Sequence, residues 1–292
     1  MATVLDSVFA PKSGEDGAIL IGLLGQGIQA SRTPGMHMAE GEALGIPYEY
    51  RLIDTESLDG PLDLDGLLTR LAAAGYDGLN VTFPYKQAVI PHLTDIAASA
   101  AAVGAVNTVL LRGNVRIGEN TDYWGFRESL RLGLPDVRKD RVLLIGAGGA
   151  GGAVAQALLD EGTRQLMIHD TDAARVQALV ARLGVRASVV TDLAAAAGQA
   201  DSIMNATPIG MAKLPGMPID AALITPRHWV GDIIYFPLET ALLKHARALG
   251  CAVLPGSGMA LYQAVRAFNL FSGQTPDPKR MWSAFEAAET MT

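Results

Sequence analysis

The residues with the plainest chemical use lie between Arg141 and Asp170. Gly146, Gly148 and Gly151 form G-x-G-x-x-G, with Gly149 and Ala150 between them. An apolar run at 142–145 precedes them, and an alanine-rich helical stretch runs from 150 to about 161. A second apolar run at 166–168 ends in His169 and Asp170. Strand, glycine turn, helix, strand and acid follow in the order a dinucleotide needs. The first glycine permits a tight turn, the second lets the backbone approach a pyrophosphate, and the third lets helix and strand pack closely. The helix start offers unpaired N–H groups to phosphate oxygens. Asp170 would accept hydrogen bonds from a ribose diol.

A second stretch, Asn80-Val81-Thr82-Phe83-Pro84-Tyr85-Lys86, ends a strand, stops it with proline and supplies a cation. Ligands of open α/β sheets bind at such carboxyl ends. Taken alone, Lys86 also fits a solvated surface lysine. Asp122, after Thr121, also fits the cap of a helix beginning at Tyr123.

The elements that must carry these residues alternate along the chain. Strands are expected at 18–24, 48–53 and 79–83, with helices at 34–44 and 64–74. Thr33 is expected to cap the first helix, with Pro34 in its first turn. A helical stretch is expected at 94–102 and a hairpin at 106–118 around Gly113-Asn114. A helix at 123–132 leads towards the glycine unit. Helices and strands then continue through 173–183, 187–190, 193–197, 202–206, 229–234, 240–249 and 252–254. Helices close the chain at 259–271 and 279–290, and residues 1–16 read as a loose lead-in. The fold class is α/β, with mostly parallel sheets covered by helices.

At 292 residues the chain suits two domains. The net charge of −7 argues against a nucleic-acid surface or a polybasic membrane patch, so any anionic substrate needs a local cationic site. Neither a membrane span nor a signal peptide is expected. The sole cysteine, Cys251, forms no intrachain disulfide and suits a reducing, cytoplasmic setting. The five histidines have no ligand-like spacing, so no metal site is expected.

Six motifs occur in order: Ser31-Arg-Thr33-Pro, Asn80-Val-Thr-x-Pro-x-Lys86, Gly104-Ala-Val-Asn107-Thr, Asn120-Thr-Asp122, Asn205-Ala-Thr-Pro-x-Gly-Met211 and Asp232-x-x-Tyr235-x-Pro-x-x-Thr240. Over nearly the whole chain the sequence resembles the shikimate dehydrogenase family. The resemblance implies a substrate-binding domain at 1–121, completed by 260–292, and a Rossmann-like, doubly wound NAD-binding domain at 122–259. It implies Lys86 and Asp122 as the catalytic pair, and leaves open which carries the proton. Ser31 and Thr33 would hold the substrate carboxylate, although Thr33 also fits a plain helix cap. Thr82, Asn107, Gln263 and Tyr235 would meet the ring of the acid. Gly146, Gly148, Gly149, Ala150, Gly151, Asp170, Arg175, Thr207, Pro208, Gly210, Met211, Ile233 and Gly256 would line the cofactor.

In the NADP-using branch of that family the second nucleotide-domain strand ends in Asn-Arg-Thr, whose arginine meets the 2′-phosphate. Here His169-Asp170-Thr171-Asp172 offers carboxylates instead, so NAD is the expected cofactor. Arg175 could reach an adenine or a phosphate, or be an exposed helix arginine. The resemblance is strongest to the NAD-dependent quinate/shikimate dehydrogenase branch, implying hydride transfer from quinate or shikimate in a monomer or homodimer. An NADP-using biosynthetic relative, an aminoshikimate-type relative and a catalytically silent sensor are the alternatives.

Overall fold

A computed structural model describes residues 7–14, 16–56 and 62–287. These residues divide into two compact units, one containing everything up to Thr121 together with the chain from Ala264 onward, the other running from Asp122 to Gln263.

The first unit holds a six-stranded sheet in the order β2-β1-β3-β5-β6-β4. Its strands are β1 (Ile19–Gly25), β2 (Tyr48–Asp54), β3 (Gly78–Val81), β4 (Asp95–Ile96), β5 (Thr108–Arg112) and β6 (Val115–Glu119). β1 pairs in parallel with β2 and β3, whereas β5 runs antiparallel to β3 and β6. Helices α1 (Thr33–Ala43), α2 (Leu64–Ala73), α3 (Tyr85–Ala88) and α4 (Ala98–Val103) connect them. β1 is apolar on both faces because both are covered. Leu20 and Leu24 enter one buried cluster, while Ile21 and Leu23 enter another with Ala267 and Phe271. At the chain's end, α11 (Pro278–Ala287) is tied to α1. Buried Glu40 accepts from Arg280 Nε and Nη2 at 2.6 and 2.9 Å and from the Asp277 N–H at 2.9 Å.

The second unit is an all-parallel sheet in the order β12-β11-β10-β7-β8-β9, reversing direction of winding at β7 and β10. The strands are β7 (Arg141–Ile145), β8 (Gln165–His169), β9 (Ala187–Val189), β10 (Ser202–Asn205), β11 (Trp229–Asp232) and β12 (Ala252–Leu254). Helices α5 (Thr121–Gly133) from Asp122 on, α6 (Gly149–Asp160), α7 (Ala173–Leu183), α8 (Leu193–Gln199), α9 (Ala241–Ala248) and α10 (Gly256–Ser272) as far as Gln263 complete the succession. Val142 and Leu144 pack with α6, and Leu143 and Ile145 pack with α8 and α9, so β7 also needs apolar residues at every position.

Several local expectations need correction. The segment predicted as a helix at 94–102 begins as strand β4, paired to β6 at Ile117 and Gly118, before α4 starts at Ala98. Thr33 is the first residue of α1, not its cap; Arg32 holds the cap position, and the Thr33 N–H meets Ser31 Oγ at 3.4 Å. α5 starts at Thr121, so Asp122 lies inside its first turn rather than ahead of it. α10 begins at Gly256, not 259. The lead-in is anchored: Val8 is buried, and its carbonyl accepts from Tyr76 Oη and Arg51 Nη1 at 2.8 and 3.2 Å. The expected helix end at 288–290, and residues 1–6 and 15 of the lead-in, lie outside the described residues.

Candidate active site

The glycine loop of the second unit is built for close backbone contact. Gly146 sits at φ +111, and a Cβ there would strike the Ala206 backbone. A Cβ at Gly151 would run into the Gly146 carbonyl. A Cβ at Gly148, by contrast, would enter open space. That space faces the start of α6, which has no side-chain cap. Helix N–H groups with room before them fit a pyrophosphate. Gly149 and Ala150 supply the first turn.

Asp170 stands just beyond β8 and braces this loop. Its Oδ2 accepts from the Ala147 N–H at 2.7 Å, and its Oδ1 from the Asp172 N–H at 2.9 Å. Partial burial pushes its carboxyl up, but those N–H groups, the Thr171 hydroxyl and Arg175 outweigh it and hold the group below its ordinary value. It is an acceptor-only anion near neutral pH, which suits a diol and opposes a phosphate. Asp172 is the cap of α7, accepting from Ala174 and Arg175 N–H groups at 3.0 and 3.2 Å. Arg175 is exposed, with Nε 3.1 Å from Asp172 Oδ2. The two acids that sequence places side by side therefore have different tasks.

A buried polar network fixes the neighbouring loop. Asn205, at the end of β10, donates to Asp232 Oδ1 and to the Ile209 carbonyl, each at 3.0 Å. Its Oδ1 accepts from the Thr207 N–H at 3.0 Å and Thr207 Oγ1 at 2.7 Å. Both amide N–H groups and the carbonyl are thereby engaged. Asp232 also accepts from the Ile234 N–H at 3.0 Å and from Thr240 Oγ1 at 2.8 Å. Burial pushes its carboxyl up to about 6 despite those bonds. Pro208 and Met211 are exposed, and Gly210 takes φ +114 beside Ile234 and Thr240. Gly256 abuts the Ile233 carbonyl, where any Cβ would collide. Tyr235 is exposed just after this segment.

In the first unit, Asp54 organises the loop ahead of Ser31, accepting from Gly27 N–H, Ile28 N–H and Gln29 Nε2 at 2.9, 3.2 and 2.9 Å. Ser31 and Thr33 are half-buried. Thr82 lies after β3, its N–H bonded to the Leu24 carbonyl at 2.8 Å, and its methyl occupies the space beside Gly25. Half-buried Lys86 lies in α3, and its carbonyl receives the Val106 N–H at 2.8 Å. Asn107 is buried, accepting the Thr121 N–H at 2.7 Å and donating to Thr121 Oγ1 at 3.0 Å. The structure thus joins Asn107 directly to the residue before Asp122, which is itself buried. Gln263 is half-buried in α10, donating to the Ala260 carbonyl at 3.1 Å.

Sequence reasoning names Asn205 and Asp232 only as motif ends and passes over Asp54, Tyr50 and Thr108. Their partners are distant along the chain; only the end of an apolar run in Asn or Asp hints at them. Among the described residues, no group of three or more His, Cys, Asp or Glu side chains is placed to hold a metal ion. Nor is any helix long and apolar enough to cross a membrane.

Comparison with known proteins places these features. Residues 23–109 match the shikimate dehydrogenase substrate binding domain, residues 129–212 the shikimate / quinate 5-dehydrogenase family and residues 256–284 the shikimate 5′-dehydrogenase C-terminal domain. The quinate/shikimate dehydrogenase (NAD(+)) of Corynebacterium glutamicum strain R is 47% identical over 280 residues, covering 92% of this chain and 98% of its own. The shikimate dehydrogenase (NADP(+)) of Arthrobacter sp. strain FB24 is 46% identical, covering 94% and 98%. The structure of quinate dehydrogenase from C. glutamicum in complex with NAD superposes with a TM-score of 0.89 at 45% identity, covering 92% of this chain and 99% of that one. With relatives this similar along nearly their whole length, the chain belongs to the shikimate dehydrogenase family.

Proposed function

We propose that this chain is an NAD-dependent quinate/shikimate dehydrogenase, oxidising quinate to 3-dehydroquinate and shikimate to 3-dehydroshikimate. Overall identity does not choose the cofactor, since NAD- and NADP-named relatives are 47% and 46% identical. The observation that carries the choice is Asp170. Its carboxylate is anionic, fixed to the glycine loop and located beyond β8, where a 2′-phosphate would be repelled. Gly146, Gly148, Gly149, Ala150 and Gly151 hold the diphosphate. Thr207, Pro208, Gly210, Met211, Ile233 and Gly256 form the remaining wall, and Arg175 flanks the adenosine end.

Bound there, the nicotinamide supplies the acceptor for a hydride. The chain's own residues handle the acid and its proton. Ser31 and Thr33 donate hydroxyl hydrogen bonds to the carboxylate. Thr82, Asn107, Tyr235 and Gln263 contact the ring and its hydroxyls. Lys86 accepts the proton of the reacting hydroxyl as general base, and returns it in the reverse direction. Asp122 hydrogen-bonds the same hydroxyl and orients Lys86. The residues before and after the nucleotide domain, 1–121 and 260–292, form the substrate domain. We place the enzyme in the cytoplasm, as a monomer or homodimer whose partners are small acids.

The test is steady-state turnover of quinate and shikimate with NAD and with NADP, followed by the absorbance of the reduced cofactor. NAD should give a kcat/KM at least about tenfold above NADP, the effect of roughly one misplaced charge. A preference for NADP would overturn the cofactor assignment; absence of turnover with both acids would overturn the substrate class.

A further inference from the structure

The apolar layer over one face of the first sheet contains polar side chains that no binding or catalytic role accounts for. Tyr50 on β2 and Asn80 on β3 flank Ile21 and Leu23 of β1, which are in register with them. Thr108 on β5 is the register partner of Asn80. All are buried, with Tyr50 at 9%, Asn80 at 4% and Thr108 at 0% exposure. Apolar residues of similar volume would fill this layer without the cost of burying an amide and two hydroxyls.

What they form is a connected network running from Tyr50 to Thr121. The Tyr50 hydroxyl donates to Asn80 Oδ1 at 2.7 Å. Asn80 Nδ2 donates to Thr108 Oγ1 at 3.1 Å. Thr108 Oγ1 donates to Asn107 Oδ1 at 3.2 Å. Asn107 Nδ2 donates to Thr121 Oγ1 at 3.0 Å. The phenolic hydrogen turns Asn80 Oδ1 towards Tyr50 and its Nδ2 towards Thr108, and at the far end Asn107 Oδ1 is shared by Thr108 Oγ1, the Thr121 N–H at 2.7 Å and Thr121 Oγ1 at 3.3 Å, with the Thr108 and Thr121 hydroxyls 3.3 Å apart. The chain ends on Asn107, which presents N–H rather than carbonyl beyond these bonds, and on Thr121, the first residue of α5.

We propose that Tyr50, Asn80 and Thr108 are positioning residues for the acid: together with the Thr121 N–H they hold the amide of Asn107 with its Oδ1 turned inward, so that it meets a ring hydroxyl as donor only. This rests on the reading of Asn107 as a ring-hydroxyl contact. The chain reaches the substrate without any of its members upstream of Asn107 touching it. It predicts that breaking a distant link weakens the acid and spares the cofactor.

The experiment compares Thr108→Val, Thr108→Ser and Tyr50→Phe with the wild-type protein, measuring kcat, KM for quinate and shikimate, KM for NAD, and Tm. Thr108→Val removes the central hydroxyl and should raise the acid KM about tenfold, the effect of one buried partner lost. KM for NAD should stay within about twofold, and Thr108→Ser, which keeps the hydroxyl, should restore the acid KM. Tyr50→Phe keeps the ring and should move the acid KM in the same direction; it answers the question if Thr108→Val does not fold. An unchanged acid KM in Thr108→Val, or in Tyr50→Phe if Thr108→Val does not fold, refutes the relay. So does a parallel rise of both KM values that Thr108→Ser fails to reverse, because that marks a general packing defect. A wild-type protein that oxidises neither acid refutes the proposed function and the relay with it, whereas normal wild-type turnover with an unaffected Thr108→Val refutes the relay alone.

Discussion

Replacing Asp232 by asparagine should change how stability depends on pH, and the geometry sets the size of the change. Asp232 is 2% exposed, and burial pushes its carboxyl from 3.8 up to about 6. The ionised form is therefore about 3 kcal/mol less favourable in the folded protein than in the unfolded chain. The folded protein holds this proton more tightly than the unfolded one. Stability contributed by the group is thus fully present below 3.8 and lost as pH rises through about 6. Between pH 8 and pH 5 the wild type should gain about 1.4 kcal/mol from this site. Asparagine does not titrate and gains nothing.

The difference between the two proteins is the quantity to measure, because other groups titrate as well. Burial lowers His37 to about 3, so its contribution is lost as pH falls below 6.5, opposite in sign to Asp232. That background cancels on subtraction. Asparagine at 232 keeps an oxygen for Asn205 and the Ile234 N–H, and its amide nitrogen meets the Thr240 hydroxyl, which can turn to accept. The variant should match or exceed wild-type stability at pH 8. Urea unfolding followed by tryptophan fluorescence suits the site, since Trp124 and Trp229 both belong to the second unit. A difference that stays flat from pH 8 to pH 5, or that moves in favour of the variant, would refute the reasoning.

Other perturbations follow from the same geometry. Asp170→Asn must present its NH2 group to either the Ala147 or the Asp172 N–H, so KM for NAD should rise at least about tenfold while KM for the acid stays level; an unchanged KM for NAD would free the loop from this carboxylate. Gly151→Ala drives a methyl into the Gly146 carbonyl and should cost about 1–3 kcal/mol of stability along with NAD affinity, as read by urea unfolding and calorimetry. Wild-type NAD affinity in that variant would show the loop to be more yielding than its packing implies. Lys86→Met and Asp122→Asn should each lower kcat about a hundredfold or more and leave NAD affinity intact; near-normal turnover in both would remove the pair from the mechanism.

The parts of this protein that are legible in its sequence are those decided by neighbours along the chain. The glycine turn, the both-face apolar run of β7 and the Gly113-Asn114 hairpin each need only a few adjacent residues, and the structure forms all of them. The parts that are not legible are decided across space. Asp95 and Ile96 sit before an alanine-rich stretch and suggest a helix, yet the edge of β6 recruits them as a strand. Thr33 has the composition of a cap, but Ser31 two residues earlier meets its N–H. Nothing near Val8 in sequence announces that Arg51 and Tyr76 will hold its carbonyl.

The same distinction explains why the residues that brace these loops escape a sequence reading. Asn80 finds Thr108 across 28 residues, Asn205 finds Asp232 across 27, and Asp170 finds Ala147 across 23. In each case a polar side chain at or near a strand end bonds to a separate strand or loop and fixes it. A buried amide or carboxylate survives there only when its acceptors and donors are matched, so the arrangement tolerates few alternatives. That intolerance is useful at a binding site: a loop held by several matched hydrogen bonds does not need a ligand to order it, and less binding energy is lost on closing around the ligand. It also sets the pattern of failure, because removing one member strands its partner and the damage is passed to the contact residue rather than spread through the core. Substitutions at buried Thr108 and Asp232 and at half-buried Asp170 should therefore act on affinity for one ligand or on one pH window, where a buried leucine would act on stability alone.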